Sequence, residues 1–163
     1  MRIAIAAIVV SLTVAACGRN ETATSTASAS STATGAAHQS ATASTTVGGV
    51  TLQTSTVAIA DLNEAVATRY GIDRSRDGVL LLVTVRDAAG NGIDPGDLQL
   101  NASAGTLTDP PKPLAFRAIT TDGMTDYLGV FNATPPATIQ FKLTATRGGS
   151  RADIATTAEL YPR

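Results

Sequence analysis

The sequence predicts an all-β fold, an immunoglobulin-like antiparallel β-sandwich of about seven strands with one short helix near Leu62 to Tyr70. Three observations carry this reading. From about residue 49 onward, short segments alternate apolar and polar side chains with the period of two that half-buried strands require. Between them stand clusters of Gly, Pro, Asn and Asp, residues that reverse a chain cheaply. Only Leu62 to Ser75 breaks the strand pattern. The folded part, residues 49–163, has a size suited to one domain. It lacks the core Cys pair and Trp of antibody domains, and an open barrel is the alternative architecture.

Arg2 and the apolar run Ile3 to Val10 have the charged and apolar regions of an export signal, and the run is too short to span a membrane. Val14-Ala15-Ala16-Cys17 then places two small residues and a Cys directly after it. This resembles the bacterial lipobox, a signal in which the Cys is acylated and the peptide cut before it. Residues 1–16 are then a lipoprotein signal peptide, and Cys17 is the lipidated first residue. Cys17 is the only Cys in the chain, so it has no disulfide partner. Lipid on Cys17 implies membrane attachment without a spanning helix. Gly18 stands where Asp retains such proteins at the inner membrane of enteric bacteria, which points to the periplasmic side of the outer membrane.

Residues 18–48 are almost entirely Ser, Thr and Ala, with Arg19, Glu21 and His38 as the ionisable side chains. Nothing there is large enough to repay ordering, so residues 17–48 read as a lipidated Cys followed by a disordered tether with a reach on the order of 30 Å. A glycosylated stalk is the other reading of such a tract.

Within the domain, Val50, Leu52, Thr54, Thr56 and Ala58 share one face of a first strand. Asp61 is the expected N-cap of the helix with Glu64 at N3, and Leu62, Ala65 and Val66 form its core face. Gly71 supplies a left-handed residue to end it. Val79 to Val85 is a continuous apolar run, as expected of a central strand covered on both faces. Asp87 to Gly92 reads as a turn leading to a strand over Asp97 to Ser103. Pro110, Pro111 and Pro113 mark a loop or sheet edge. Leu114, Phe116 and Ala118 share a face; Tyr127, Gly129 and Phe131 alternate with Leu128 and Val130; Ile139, Phe141 and Leu143 alternate with Gln140 and Lys142. Arg147-Gly148-Gly149-Ser150 is a hairpin turn, returning Ala152 to Leu160 antiparallel to Thr138 to Thr146.

Residues 49–163 hold no His and no Cys, which excludes Ser-His-Asp and Cys-His catalysis and the usual zinc sites there. No phosphate-binding loop, dinucleotide fingerprint or nucleophile elbow is present. The sequence therefore predicts no enzyme and no cofactor. A formal net charge of −1 and few aromatics give no nucleic-acid signature. Two candidate sites remain. Arg69, Arg74 and Arg76 surround Tyr70 in the elbow after the helix, where guanidinium forks and a phenol could receive an anion. The plainer reading is that Arg74 pairs with Glu64 or Asp77 and pins the elbow, with Tyr70 at a core edge. Asp87, Asn91, Asp94 and Asp97 gather oxygens near a Gly-rich loop, a weak calcium alternative whose spacing is not that of the twelve-residue calcium loop. Asp122 and Asp126 read as solvated loop carboxylates.

The run Leu62-Asn63-Glu64-Ala65-Val66-Ala67-Thr68-Arg69-Tyr70-Gly71-Ile72-Asp73-Arg74-Ser75, with Phe116-Arg117-Ala118-Ile119, Tyr127-Leu128 and Leu160-Tyr161 after it, resembles the bacterial domain of unknown function family 4426. The resemblance covers about Gly49 to Arg163. It implies a small exported protein and adds no activity. Ala118 and Thr121 stand where that pattern has acidic residues, and Asp126 where it has an aromatic. The expectation is thus a lipid-anchored, non-catalytic periplasmic module that binds or scaffolds another envelope component. A periplasmic small-ligand or ion-binding protein is the alternative.

Overall fold

A computed structural model describes residues 41–163, and among these the alternation of the sequence becomes nine strands in two antiparallel sheets. The strands are β1 Thr42–Val47, β2 Val50–Ala58, β3 Gly78–Arg86, β4 Gln99–Thr106, β5 Lys112–Leu114, β6 Phe116–Thr121, β7 Met124–Asn132, β8 Ala137–Arg147 and β9 Ser150–Leu160. One sheet has the order β1-β2-β3-β7-β6 and the other β5-β4-β8-β9. The expected sandwich is present, and the two strands beyond the seven predicted are β1 and β5.

The domain begins before Gly49, because Thr42–Val47 pairs residue for residue with Val50–Ser55 across the Gly48-Gly49 turn. Ser/Thr/Ala composition concealed this strand. Thr is β-branched and strand-forming, and Val47 is buried while Ala43 packs on the core. Thr54 Oγ1 donates to the Ala43 carbonyl at 3.2 Å and lies 3.0 Å from the Thr156 hydroxyl of β9, so the buried hydroxyls of this seam are satisfied. The expected signal peptide with Cys17, His38 and most of the expected tether fall outside the described residues. Deleting Thr42–Val47 is expected to lower the melting temperature by roughly 10 °C, since Val47 burial alone is worth about 2 kcal/mol. Deleting residues 18–40 should shift it by less than about 2 °C. Equal effects in differential scanning calorimetry would contradict this boundary.

β5 is a three-residue edge strand within the Pro-rich stretch. The chain crosses from one sheet to the other at Ala115, so Leu114 and Phe116, expected on one face of one strand, belong to different sheets. Gly148-Gly149 takes φ of 54° and 76°, the left-handed pair that matches a two-residue hairpin to strand twist. Val79, Leu81, Val83 and Val85 of β3 face Ile139, Phe141 and Leu143 of β8 in the main core. The other face of β3 is covered by α1, Glu64–Tyr70, which rests Ala67 and the preceding Leu62 on Leu80 and Leu128.

The helix differs in detail from its prediction. Its N-cap is Asn63, whose Oδ1 accepts the Ala65 N–H at 2.8 Å, and Glu64 is the first helical residue. Asp61 instead ends a short 3-10 turn, Ile59–Asp61. That shift rotates the buried face onto Ala67 and leaves Val66 37% exposed.

The strand directions place the features of interest at two ends. Ala41, the segment from Ile59 to Asp77, residues 107–111, the Asn132–Ala137 connection and Leu160–Arg163 lie at one end. The two-residue turns Gly48-Gly49, Asp122-Gly123 and Gly148-Gly149, with residues 87–98, lie at the other.

Candidate functional site

At the elbow, the C-terminus of α1 leaves carbonyls without helical partners. Gly71, at φ 61° and ψ 39°, turns the chain so that the Ile72 N–H reaches the Ala67 carbonyl at 2.8 Å. Arg117 of β6 donates its guanidinium to the Tyr70 carbonyl, placing a cation at the negative end of the helix. Arg74 donates to the Ala60 carbonyl at 3.1 Å. It pairs with neither Glu64 nor Asp77; the latter is met by Arg163 at 3.4 Å, whose Nη2 also donates to the Arg74 carbonyl at 3.3 Å. Asp73 accepts from the hydroxyl and backbone N–H of Ser75, which lower its pKa, and Arg76 stands 3.7 Å away.

The elbow therefore pins one backbone segment to another through arginines. Tyr70 packs on the helix cluster, while Arg69 lines a shallow depression with Asn63, Glu64, Ala65 and Thr68 that neither Tyr70 nor Arg74 joins. Arg74→Ala is expected to cost about 0.5–1.5 kcal/mol, the worth of one exposed hydrogen bond. A loss above about 3 kcal/mol in urea titration would mean the guanidinium holds more than this carbonyl.

Two carboxylates of the second candidate, Asp87 and Asp94, are taken by their own turns, and Asp97 is taken by the β8–β9 hairpin. Asp87 accepts the N–H groups of Ala89 and Asn91, both at 2.8 Å, and its bonds with Asn91 hold its pKa below the usual carboxylate range. Asp94 accepts from Gly96 N–H at 2.9 Å, and Asp97 from Gly148 N–H at 3.0 Å. Among the described residues no three His, Cys, Asp or Glu side chains come together to hold a metal ion. The residues of the calcium alternative, Asp87, Asn91, Asp94 and Asp97, are each engaged in these backbone contacts. Asp126 lies within β7 rather than a loop, paired with Arg86 at 3.3 Å, and Asp122 occupies a hairpin turn at φ 51°. Burial, with Asp94 adding to it, raises the Tyr127 pKa.

What the sequence did not indicate is a cleft of about 820 Å³ at one end of the sandwich, lined by residues of both sheets. Leu114, Phe131 and Leu160 come to it from the core. Leu107, Val130 and Tyr161 line it with apolar surface, being 72%, 37% and 40% exposed. Lys112 is its one cation, and Glu159, which accepts the Thr138 hydroxyl at 2.8 Å, is one of its acids. The elbow adjoins it, since Arg76 and Asp77 share a smaller hollow with Asn132, Ala133 and Thr134. The available signal was Leu107, an isolated large apolar residue beside three prolines.

Three solved structures share the fold. A DUF4426 family protein from Pseudomonas aeruginosa PAO1 superposes with a TM-score of 0.58 at 20% identity, covering 75% of this chain and 96% of that one. FetP of uropathogenic Escherichia coli strain F11, expressed in the periplasm of E. coli, gives 0.51 at 11% identity, with 78% and 98% covered. A copper-bound variant of FetP gives 0.51 at 9%, with 76% and 97% covered. No curated protein matches the sequence. The family model for the domain of unknown function DUF4426 matches residues 44–163, nearly the whole described domain, and the chain belongs to that family.

Proposed function

We propose that this protein is a lipid-anchored periplasmic module, held through Cys17 at the outer membrane, that binds another envelope component and catalyses no reaction. The observation that carries the reading is the cleft, an open concavity bordered by exposed Leu107, Val130 and Tyr161. Clustered exposed apolar side chains of this kind mark binding surfaces. The cleft lies at the end where Ala41 leads into β1. Support for the compartment comes from the export-signal pattern of residues 1–16. The copper of FetP is not carried over, because residues 41–163 contain no His or Cys. Among the described residues no helix is long and apolar enough to cross a membrane.

A second reading, small-ligand binding, is favoured by the size of the same cleft, which lies within the roughly 300–1,000 Å³ of ligand sites. It moves the ligand away from Tyr70, Arg69 and Arg74 and from the Asp87 to Asp97 loop. The test has two arms. Cys17→Ser is expected to abolish lipid labelling and membrane fractionation. A photo-crosslinking residue at Leu107 should capture one envelope component in intact cells, and the same residue at exposed Ala155 should not. Normal fractionation of Cys17→Ser overturns the anchor, and indistinguishable capture from both positions overturns the binding surface.

A further inference from the structure

We propose that the cleft takes a small amphiphile with a single anionic head, a carboxylate on an apolar body, and that Lys112 is its counter-charge. The inference deepens the small-ligand reading of the cleft and rests on it.

Register places the charge. Lys112 of β5 stands opposite Ala104 of β4, and Leu114 opposite Ala102. Opposed residues in an antiparallel pair share a face, and Ala104 is fully buried in the core. Lys112 therefore leaves the sheet on its core side, where it lines the cleft. Beside it the lining is apolar, formed by Leu114, Phe131 and Leu160.

No carboxylate lies within ion-pair distance of Lys112 among the described residues. Two acids line the cleft, and each is engaged elsewhere. Asp109 accepts from Thr106 Oγ1 at 3.1 Å, and Glu159 from Thr138 Oγ1 at 2.8 Å. The Lys112 ammonium, in no ion pair and beside an apolar floor, complements an anionic head with a short apolar tail. A core-side lysine on an edge strand can also serve only to keep that edge from pairing with another chain, and that role requires no ligand.

The experiment titrates the full chain, held in phosphatidylcholine nanodiscs, with octanoate by calorimetry, using empty nanodiscs as the blank and octanol as the uncharged control. Saturable one-to-one binding of octanoate is expected, with Lys112→Met weakening it about tenfold or more and leaving octanol unchanged. The melting temperature should stay within about 2 °C, because Lys112 is exposed. A peptide ending in Ala-Ala-Leu, compared with its C-terminal amide, separates the two sources of such a carboxylate. Tighter binding of the free-acid peptide than of octanoate would overturn the small amphiphile in favour of a protein C-terminus, and the reverse supports a fatty acid. Heat indistinguishable from the blank for both octanoate and peptide, or equal octanoate affinity in a folded Lys112→Met protein, overturns the proposal. Capture from Leu107 that survives Lys112→Met would leave the partner-binding reading standing without this one.

Discussion

Phe141→Ala is expected to remove about 3–5 kcal/mol of stability, a large share of the roughly 5–15 kcal/mol that holds a domain together. Phe141 is 2% exposed and comes from β8 into the centre of the space between the sheets. Its ring meets Phe131 of β7 edge to face, with centroids 6.4 Å apart and planes at 81°, so it joins one sheet directly to the other. Its backbone neighbours across the ladders are Ala104 and Thr156, too small to fill the space it would vacate. Urea titration at constant m-value would register the loss. A change below about 1 kcal/mol would mean that the sheets close over the gap.

The second large effect is a contrast between adjacent positions. Ala67→Asp should cost several kcal/mol, because Ala67 is 2% exposed between α1 and the strands β3 and β7, where a carboxylate finds no partner. Val66→Asp should change stability by about 0.5 kcal/mol or less, since Val66 faces solvent. Comparable losses from the two would show that the helix sits one residue rotated from its described position.

The helix shows where sequence reasoning reached and where it stopped. Apolar spacing was enough to place a short helix over Leu62 to Tyr70 and to end it at Gly71. It placed the cap at Asp61 where the structure has Asn63, because either side chain can accept a backbone N–H and the two stand two residues apart. The choice was made by Ile59, whose burial in the core fixes the 3-10 turn that consumes Asp61. The β3 run was legible because burial on both faces demands continuous apolar residues. β1 was not, since Thr and Ala serve equally in a strand and in a tether, and only the register with β2 separates them. Lys112 was hidden for a different reason. Its sequence neighbours are prolines, and its side of the sheet follows from the pairing with Ala104, which the prolines of the intervening loop conceal.

The sheet order has a consequence for how the chain is made. Val79 to Val85 is a seven-residue window without charge or proline, the composition of a segment that pairs with copies of itself. β2 precedes it and covers one edge at once, but the other edge waits for β7. About 40 residues separate the end of β3 from the start of β7, so at about 5–20 residues per second the edge stays bare for roughly 2–8 s during synthesis. The domain is most exposed to aggregation in that interval, and a holdase binding this window would raise the yield of folded protein more than one acting after release.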